Sequence, residues 1–400
     1  MNDMKEKMIP EIRFKGFTDT WEQRKLGEVI EKMYNGQTPS RSEEANWKGE
    51  INWLSSGELN RGYVTNTVEK ITVEGQKAAN LKMVPIGTFV MAITGLEAAG
   101  TRGNCAKLLI NTTMNQSCMA LFPKKELLNS NFLFQWYRKF GEDYGLRYTQ
   151  GTKQQSYNAE LIKILPITLP TVEEQIKFSN LFDKLDETIT LQERKVNLLK
   201  EQKKGYLQKM FPKQNEKFPE LRFEGFTDAW EQRKLKDVSE MYDNLRVPIT
   251  ASDRVSGDTP YYGSNGIQDY VEGYTHDGEY VLIAEDGAND LLNYPVNYVN
   301  GKVWINNHAH VVSGKVGELN NLFLVSRIKS MNIVPWLVGG GRAKLNGDVL
   351  KKLPILIPSF EEQQKIGNFF KQLDDTIDLQ ERKLETLKEL KKGYLQKMFA

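Results

Sequence analysis

The sequence has few of the residues that build disulfide frameworks and metal sites. Its 400 residues include two cysteines and three histidines, too few cysteines to cross-link a small secreted fold. No apolar run approaches the ~18 residues that a membrane-spanning helix needs. The first seven residues contain no apolar stretch, so we expect no secretory signal peptide. Together these absences favour a cytoplasmic protein.

Motifs for catalysis are also missing. The sequence contains neither G-x-x-x-x-G-K-[ST] nor G-x-G-x-x-G, and no [DN]-P-P-[FYW] run of amino-methyltransferases. His308 and His310 resemble a ligand pair, but no further histidine or cysteine pair completes a zinc spacing, which favours a loop or DNA-facing role. Cys105 and Cys118 have no histidine base near them in sequence. We therefore expect a non-catalytic chain that itself binds no metal or cofactor.

Charge of one sign is not in excess either. There are 54 Lys and Arg against 52 Asp and Glu, a net charge of +2. This balance argues against a chain coated in positive charge, so any nucleic-acid binding would be local or assisted by partners. The hydrophobic share of 40% is enough to fold, and the length predicts two or three domains.

Two segments of the chain are repeated. Residues 12–29 and 221–238 match at 13 of 18 positions with an offset of 209. Residues 165–211 and 353–399 match at 31 of 47 positions with an offset of 188. The inserts between these frames, residues 30–164 and 239–352, show no obvious register with each other.

Near-identical frames around unlike inserts predict two different binding surfaces held in equivalent scaffolds. Gene duplication followed by drift is the alternative, but uniform drift would not spare the frames alone. The predicted domains are an N-terminal arm (1–20), a first recognition domain (21–170), a first long helix (171–211), a linker with repeated frame (212–229), a second recognition domain (230–358) and a second long helix (359–400).

The second repeat predicts two long helices. Capping boxes Thr171–Glu174 and Ser359–Glu362 follow prolines, and an apolar heptad seam runs behind each box. The seam residues are Leu185, Ile189, Val196, Leu199 and Tyr206 in the first helix, and Leu373, Ile377, Leu384, Leu387 and Tyr394 in the second. Gln192 and Gln380 are polar entries in the seams. The two helices would pair antiparallel with each other, or alternatively join two chains.

The first repeat and the inserts complete an α+β fold class. Asp19 and Asp228 each precede a WEQRKL segment that we interpret as a short capped helix, with Trp21 and Trp230 as packing anchors. The inserts contain β-like runs and a helical pattern at 131–140. The predicted architecture is two recognition domains alternating with two long helices, related by a pseudo-two-fold internal repeat.

Polar, basic and aromatic residues in turns of the inserts are candidate DNA-binding residues. Residues 21–170 carry a net +4 and residues 230–358 a net −2, so only a few basic groups per domain could contact phosphates. The candidates in the first domain are Thr38, Ser40, Arg41, Ser55, Ser56, Arg102, Lys107, Asn115, Gln116, Thr152, Lys153 and Gln154. Those in the second are Tyr261, Tyr262, Ser264, Asn265, Asp286, Asn307, His308, His310, Arg342 and Lys344.

The whole chain resembles a known family. The frame GFTDxWEQRKL, the LPxxxPxxEEQ ending of each insert and the LQERK…LKKGYLQKMF helix are similar to the specificity subunit of type I restriction–modification systems. Stretches 36–59 and 261–312 resemble target recognition domains of that family.

The resemblance implies a function and a set of partners. Each recognition domain would read one half of a bipartite target in double-stranded DNA, and the helices would set the spacer and help to dock two methyltransferase (M) subunits. Restriction (R) subunits would join the full complex, and the chain would have no membrane partner. S-adenosylmethionine for adenine methylation would bind the M subunits, and ATP and Mg would bind the R subunit.

Two other functions stay open at this point. The chain could be an interaction scaffold whose inserts bind proteins, or a free-standing DNA-binding regulator. Co-purification with a methyltransferase and sequence-specific DNA retention by the complex would distinguish the specificity subunit from the scaffold. Tight specific binding by the chain alone would indicate the regulator.

Overall fold

The chain divides into two compact units. The computed structural model describes residues 8–97, 100–149, 155–213, 216–339 and 343–399. Unit 1 comprises Met1–Leu191 and Leu384–Ala400, and unit 2 comprises Gln192–Lys383. Two long helices are therefore each divided between the two units.

Unit 1 is a mixed α/β body built on a five-stranded sheet in the order β2-β9-β6-β7-β4. A three-stranded sheet in the order β5-β3-β8 and the antiparallel pair β1-β10 complete it. Its strands are β1 (Glu22–Lys25), β2 (Ile30–Asn35), β3 (Trp47–Leu54), β4 (Gly62–Val64), β5 (Glu69–Ile71), β6 (Phe89–Ala92), β7 (Cys105–Leu108), β8 (Thr113–Met114), β9 (Cys118–Pro123) and β10 (Pro166–Leu169). Its own helices are α1 (Leu26–Val29), α2 (Val73–Ala78), α3 (Ser130–Tyr148) and α4 (Ala159–Lys163).

The core of unit 1 lies between its main sheet and α3. Strand β6 is buried along its whole length because four consecutive apolar residues leave it no polar face. Phe132, Phe134 and Trp136 of α3 are fully buried in the same cluster. Cys105 and Cys118 are buried free thiols, and burial raises the pKa of Cys105 to about 12.

Unit 2 is built on a six-stranded sheet in the order β12-β17-β15-β16-β13-β14. Its strands are β11 (Glu231–Lys234), β12 (Ser239–Met241), β13 (Ser256–Gly263), β14 (Gly266–Val271), β15 (His276–Ala284), β16 (Val296–Ile305), β17 (Ala309–Gly314) and β18 (Pro354–Ile357). Its own helices are α6 (Leu235–Val238), α7 (Asn321–Ser330) and α8 (Gly347–Lys352). Apolar residues of β15 and α7, including Val281, Ile283, Phe323 and Leu324, form its core.

The two long helices are α5 (Val172–Lys209) and α9 (Phe360–Lys397). Each has 38 residues, a length of about 57 Å at 1.5 Å per residue. In unit 1 the first half of α5 packs beside the last turns of α9, where Asp186 pairs with Lys391. In unit 2 the second half of α5 packs beside the first half of α9, where Lys200 pairs with Glu381 at 2.6 Å. The predicted antiparallel pairing of long helices is confirmed within each unit.

The predicted seam residues face this pairing. Ile189, Val196 and Ile377 are buried, and the other seven apolar seam residues are half-buried. The hydroxyl part of the predicted capping boxes is also present, since Thr171 accepts a hydrogen bond from the Glu174 backbone at 3.4 Å. The Glu174 carboxylate does not turn back to the helix end. It is buried and accepts hydrogen bonds from the Arg13 guanidinium at 2.7 and 2.8 Å.

The repeated frame forms the same contacts in both units. Arg222 pairs with buried Glu362 at 2.7 Å as Arg13 does with Glu174. Trp21 and Trp230 are buried anchors. The predicted WEQRKL helix is wrong, because Glu22–Lys25 and Glu231–Lys234 are strands paired with β10 and β18. Pairing with a distant strand outweighs the local helical preference of these four residues, and only the next four residues are helical.

The inserts share a register that their sequences conceal. Lys124 donates its backbone N–H to Val29 and its ammonium group to Glu28, and Lys315 makes the same two contacts with Val238 and Asp237. Asn129 at the start of α3 and Asn320 at the start of α7 each donate a backbone N–H to a glutamine of a long helix, at 2.8 and 3.0 Å. Lys124 and Asn129 are both 191 residues before their counterparts. The inserts therefore share part of their scaffold although their sequences show no obvious register.

Among the described residues, no helix is both long and apolar enough to cross a membrane.

Candidate nucleic-acid interface

The candidate residues of unit 1 meet where several strands end or begin. Strands β3 and β8 run parallel and place Leu54 opposite Met114, while Ala92 at the end of β6 lies opposite Cys118 at the start of β9. The connection between β8 and β9 is Asn115–Ser117. Asn115 donates its backbone N–H to the Leu54 carbonyl at 2.9 Å.

Thr38 and Gln116 lie side by side in this cluster. The Thr38 hydroxyl donates to the Gln116 side-chain oxygen, and Asn35 donates its amide to the Gln116 backbone carbonyl at 2.8 Å. Gln116 is exposed and Thr38 is half-buried. Ser55 and Ser56 follow β3 in a short turn, where the Ser55 hydroxyl donates to Glu58 at 2.8 Å.

Arg41 is exposed but already engaged by protein groups. Its guanidinium contacts both carboxylate oxygens of Glu69, at 2.5 and 2.8 Å, and lies 3.9 Å from the Trp47 ring centroid. The same interaction lowers the pKa of Glu69 through its hydrogen bond to Arg41. Ser40 is exposed and contacts Ser42 at 2.8 Å. Arg41 would have to exchange the Glu69 carboxylate for a DNA phosphate or base.

Arg102 and Lys107 are placed differently. Arg102 is half-buried and donates to the Glu97 carbonyl at 2.8 Å. Lys107 lies in β7, where burial lowers its pKa and the charge of Asp183 in α5 partly opposes that shift. A half-buried lysine in the middle of the main sheet has little opportunity to contact DNA, so Lys107 is a weak candidate.

The candidate residues of unit 2 converge more fully. Asn265, in the turn between β13 and β14, donates its amide to the Gly287 carbonyl at 2.9 Å and accepts the Asn289 N–H at 3.0 Å. Asp286 lies 2.5 Å from Nδ1 of His308 and bridges Lys344 through the backbone. Four loops separated in sequence are thus joined into one surface.

A cluster of charged side chains holds these loops together. The guanidinium of Arg246 donates to Glu285 at 2.7 Å and to the Ala309 carbonyl at 2.9 Å. The ammonium of Lys344 lies 2.8 Å from the other oxygen of Glu285. Burial would raise the pKa of Glu285, but hydrogen bonds from Lys344 and Arg246 outweigh it and hold the pKa below its ordinary value. The loop that contains Asn307 is therefore anchored by charged side chains.

Asp243, Glu285 and His310 bring possible metal ligands within 4.8 Å of one another. Protein groups already occupy them: Nδ1 of His310 lies 2.6 Å from Asp243, and Glu285 binds Arg246 and Lys344. Arg246 and Lys344 supply the positive charge that a cation would bring. We therefore interpret Asp243, Glu285 and His310 as part of a structural ion cluster.

Three candidates of unit 2 lie in its interior. Tyr261 is 1% exposed and His310 is 2% exposed, which corrects the expectation that they contact DNA directly. The Tyr261 hydroxyl contacts the Ile249 backbone at 3.3 Å, and Nε2 of His310 lies 2.8 Å from the Leu345 carbonyl. Ser264 is also buried. Tyr262 is half-buried, and Asn265 and Asn307 are exposed.

Four candidates, Thr152, Lys153, Gln154 and Arg342, lie outside the described residues. Sequence reasoning missed Arg246 and Asp243, because each fixes the site through contacts with residues about 40 to 70 positions away. The only available signal is positional, since Arg246 and Thr38 each follow the first strand of their main sheets.

The sequence matches a known family over most of its length. The profile of the type I restriction modification DNA specificity domain matches residues 18–201 and 227–389. A putative type I restriction enzyme specificity subunit of Haemophilus influenzae is 49% identical over 154 residues, which are 38% of this chain and 39% of that protein. The MjaVIII type I restriction enzyme specificity subunit of Methanocaldococcus jannaschii is 22% identical over 98% of this chain and 95% of that protein.

Solved structures with the same fold extend the comparison. The crystal structure of a type I restriction–modification S subunit from M. genitalium aligns with a TM-score of 0.71 at 15% identity, over 98% of this chain and 99% of that chain. A chain from a study of complex assembly and conformational transition of the type I system aligns with a TM-score of 0.51 at 18% identity, over 95% of this chain and 97% of that one. With two profile matches that together span most of the chain, including most of each long helix, this chain belongs to the type I restriction–modification DNA specificity family.

Proposed function

We propose that the chain selects the DNA target of a type I restriction–modification complex, with each unit reading one half of a bipartite site. The observation that carries this proposal is the shared position and unlike chemistry of the two loop clusters. Asn115 donates its backbone N–H to the Leu54 carbonyl at the end of β3, at 2.9 Å. Asn306 donates its backbone N–H to the Tyr262 carbonyl near the end of β13, the equivalent strand, at 3.1 Å. Around them, unit 1 presents Thr38 and Gln116, whereas unit 2 presents Asn265, Asn307 and His308.

The proposal assigns catalysis to partners. The net charge of +2 supplies few phosphate contacts, so two M subunits would hold the DNA backbone. The M subunits would carry S-adenosylmethionine and methylate adenine, and R subunits would use ATP and Mg and cut the DNA. The chain itself would contribute no catalytic residue, and the assembly would work in the cytoplasm.

The long helices have a second role in this proposal. Helices α5 and α9 contain 38 residues each, and their length would set the number of base pairs between the two half-sites. They would also form part of the surface on which the M subunits dock.

A map of adenine methylation tests the function directly. Cells that carry this gene with its M gene should show one bipartite methylated motif, and deletion of the gene alone should remove it. Purified complex should retain DNA that contains the motif and release DNA that lacks it. A chain that binds specific DNA without an M subunit would indicate a free-standing regulator, and one that binds proteins without changing methylation would indicate a scaffold.

A further inference from the structure

Gln116 in unit 1 and Asn307 in unit 2 occupy the same place in their loops. Asn115 and Asn306 precede them, 191 residues apart. Ser117 donates its N–H to the Asn115 side chain at 3.1 Å, and His308 does the same to the Asn306 side chain at 2.8 Å.

The flanking residues lock both loops in one backbone conformation. The Ser117 carbonyl accepts the Ile93 N–H at 2.9 Å, and the His308 carbonyl accepts the Glu285 N–H at 2.8 Å. Each loop is therefore tied down immediately before and immediately after its central residue. That central residue is exposed in both units, and in both it carries a primary amide.

The two amides differ in reach and support. Gln116 is longer by one methylene, and the Thr38 hydroxyl holds its side-chain oxygen. The Asn307 side-chain amide has no hydrogen-bond partner among the described residues, while its backbone carbonyl accepts a contact from Arg246 at 3.5 Å. One support orients the longer side chain, and the other fixes the backbone that carries the shorter one.

A primary amide offers one donor and one acceptor side by side. In the major groove, the adenine edge presents an N7 acceptor next to an N6 donor, which an Asn or Gln amide pairs in bidentate fashion. We propose that Gln116 and Asn307 are specificity-determining residues, each reading one adenine in its own half-site. This inference rests on the proposed function of the chain.

Paired alanine substitutions test the assignment. Gln116→Ala and Asn307→Ala are expressed with the M subunit, and methylation is mapped across the genome. Each variant should make a single adenine position of the motif degenerate. The preference for adenine at that position should fall by about 5- to 150-fold. Gln116→Ala should affect one half-site and Asn307→Ala the other. Gln23→Ala and Gln232→Ala remove exposed amides at equivalent strand positions in the two frames and should leave the motif unchanged.

Several results would overturn the assignment. These are an unchanged motif in either variant, relaxation at a base other than adenine, or changes in both half-sites from one substitution. If an alanine variant fails to assemble, Gln116→Asn and Asn307→Gln replace it, because they keep the amide and change only its reach. An unchanged strength of adenine preference in these variants would contradict the proposal. A wild-type chain without any gene-dependent motif would instead refute the proposed function.

Discussion

Gln192 donates its side-chain amide to both the backbone carbonyl and the side-chain oxygen of Gln380, at 2.9 Å in each case. The two glutamines are equivalent residues of the repeat, separated by its offset of 188. Gln380 is buried between the helices of unit 2. A polar pair in an apolar seam specifies the register of the helices at a cost in stability.

Replacing these glutamines should therefore have opposite effects singly and together. Gln380→Leu should lower the free energy of unfolding by about 0.5–1.5 kcal/mol, because the Gln192 amide loses the side-chain oxygen of Gln380 and keeps only the backbone carbonyl. The double change to leucine should be neutral or stabilising. Chemical unfolding of both variants measures this, with Gln202→Leu on the exposed face of α5 as the control. A double variant less stable than Gln380→Leu alone would contradict the register role.

Asp186 and Asp374 are equivalent residues in unlike surroundings. Asp186 is 8% exposed and binds Arg138 at 2.6 Å as well as Lys391. Asp374 pairs with Lys203, and its side chain is 34% exposed. Asp186→Asn should destabilise the chain by about 3–5 kcal/mol because buried Lys391 and half-buried Arg138 lose their counter-charge. Asp374→Asn should cost no more than about 1 kcal/mol, and equal losses in urea unfolding would refute this difference.

Acid should remove the contribution of Asp186. Burial alone would raise its pKa, but the charges of Arg138 and Lys391 outweigh burial and hold the pKa below the ordinary value of 3.8. A lowered pKa in the folded state gives stability that is present above the unfolded pKa and is lost as pH falls through the folded one. The gap in unfolding free energy between wild type and Asp186→Asn should shrink below about pH 4. A difference in unfolding free energy that widens in acid would contradict the lowered pKa of Asp186 in the folded state.

Gly36 allows the loop Asn115–Ser117 to approach the end of β2 closely. A Cβ at Gly36 would overlap the carbonyl oxygens of Met114 and Asn115. Gly36→Ala should push this loop out of place at a steric cost of about 1–3 kcal/mol and reduce methylation of the motif at least about tenfold. Gly57→Ala is the control, since its Cβ meets nothing closer than the Ser55 hydroxyl at 3.9 Å. Equal methylation by the two variants would argue against a reading role for this loop.

Arg246 should position the loop of unit 2 that carries Asn307. Arg246→Met removes the contacts with Glu285 and the Ala309 carbonyl, and methylation of the motif should fall at least about tenfold. Arg246→Lys should not restore it, because one ammonium cannot reproduce the guanidinium fork. Lys302→Met, at an exposed site of β16, is the control for loss of a basic charge. Full activity of the lysine variant would show that charge alone suffices.

The long helices were predictable from sequence because their signals are local. Prolines, hydroxyl caps and heptads lie within the segment itself, and α5 begins within one residue of the predicted start. Strand β1 was not predictable in this way. Its partner β10 lies more than 140 residues later, and a WEQRKL segment alone has a helical preference.

The loop clusters show the same limit. Turn composition pointed to Gln116, Asn265 and His308 singly, but only the folded chain joins each to its neighbours. Tyr261 lies in a strand whose alternation turns it inward, next to the half-buried Tyr262. A tyrosine pair in a sequence does not reveal which ring faces solvent until the register of the strand is known.

The measurement that tests the central claim most directly is a methylation map after exchange of one insert. Residues 30–164 are replaced by the corresponding segment of another specificity subunit with a known motif, while the frames and residues 239–352 are kept. Two independent reading units predict that one half of the methylated motif changes to the donor's half and the other half stays. A change in both halves, or a motif that keeps both original halves, would contradict the account.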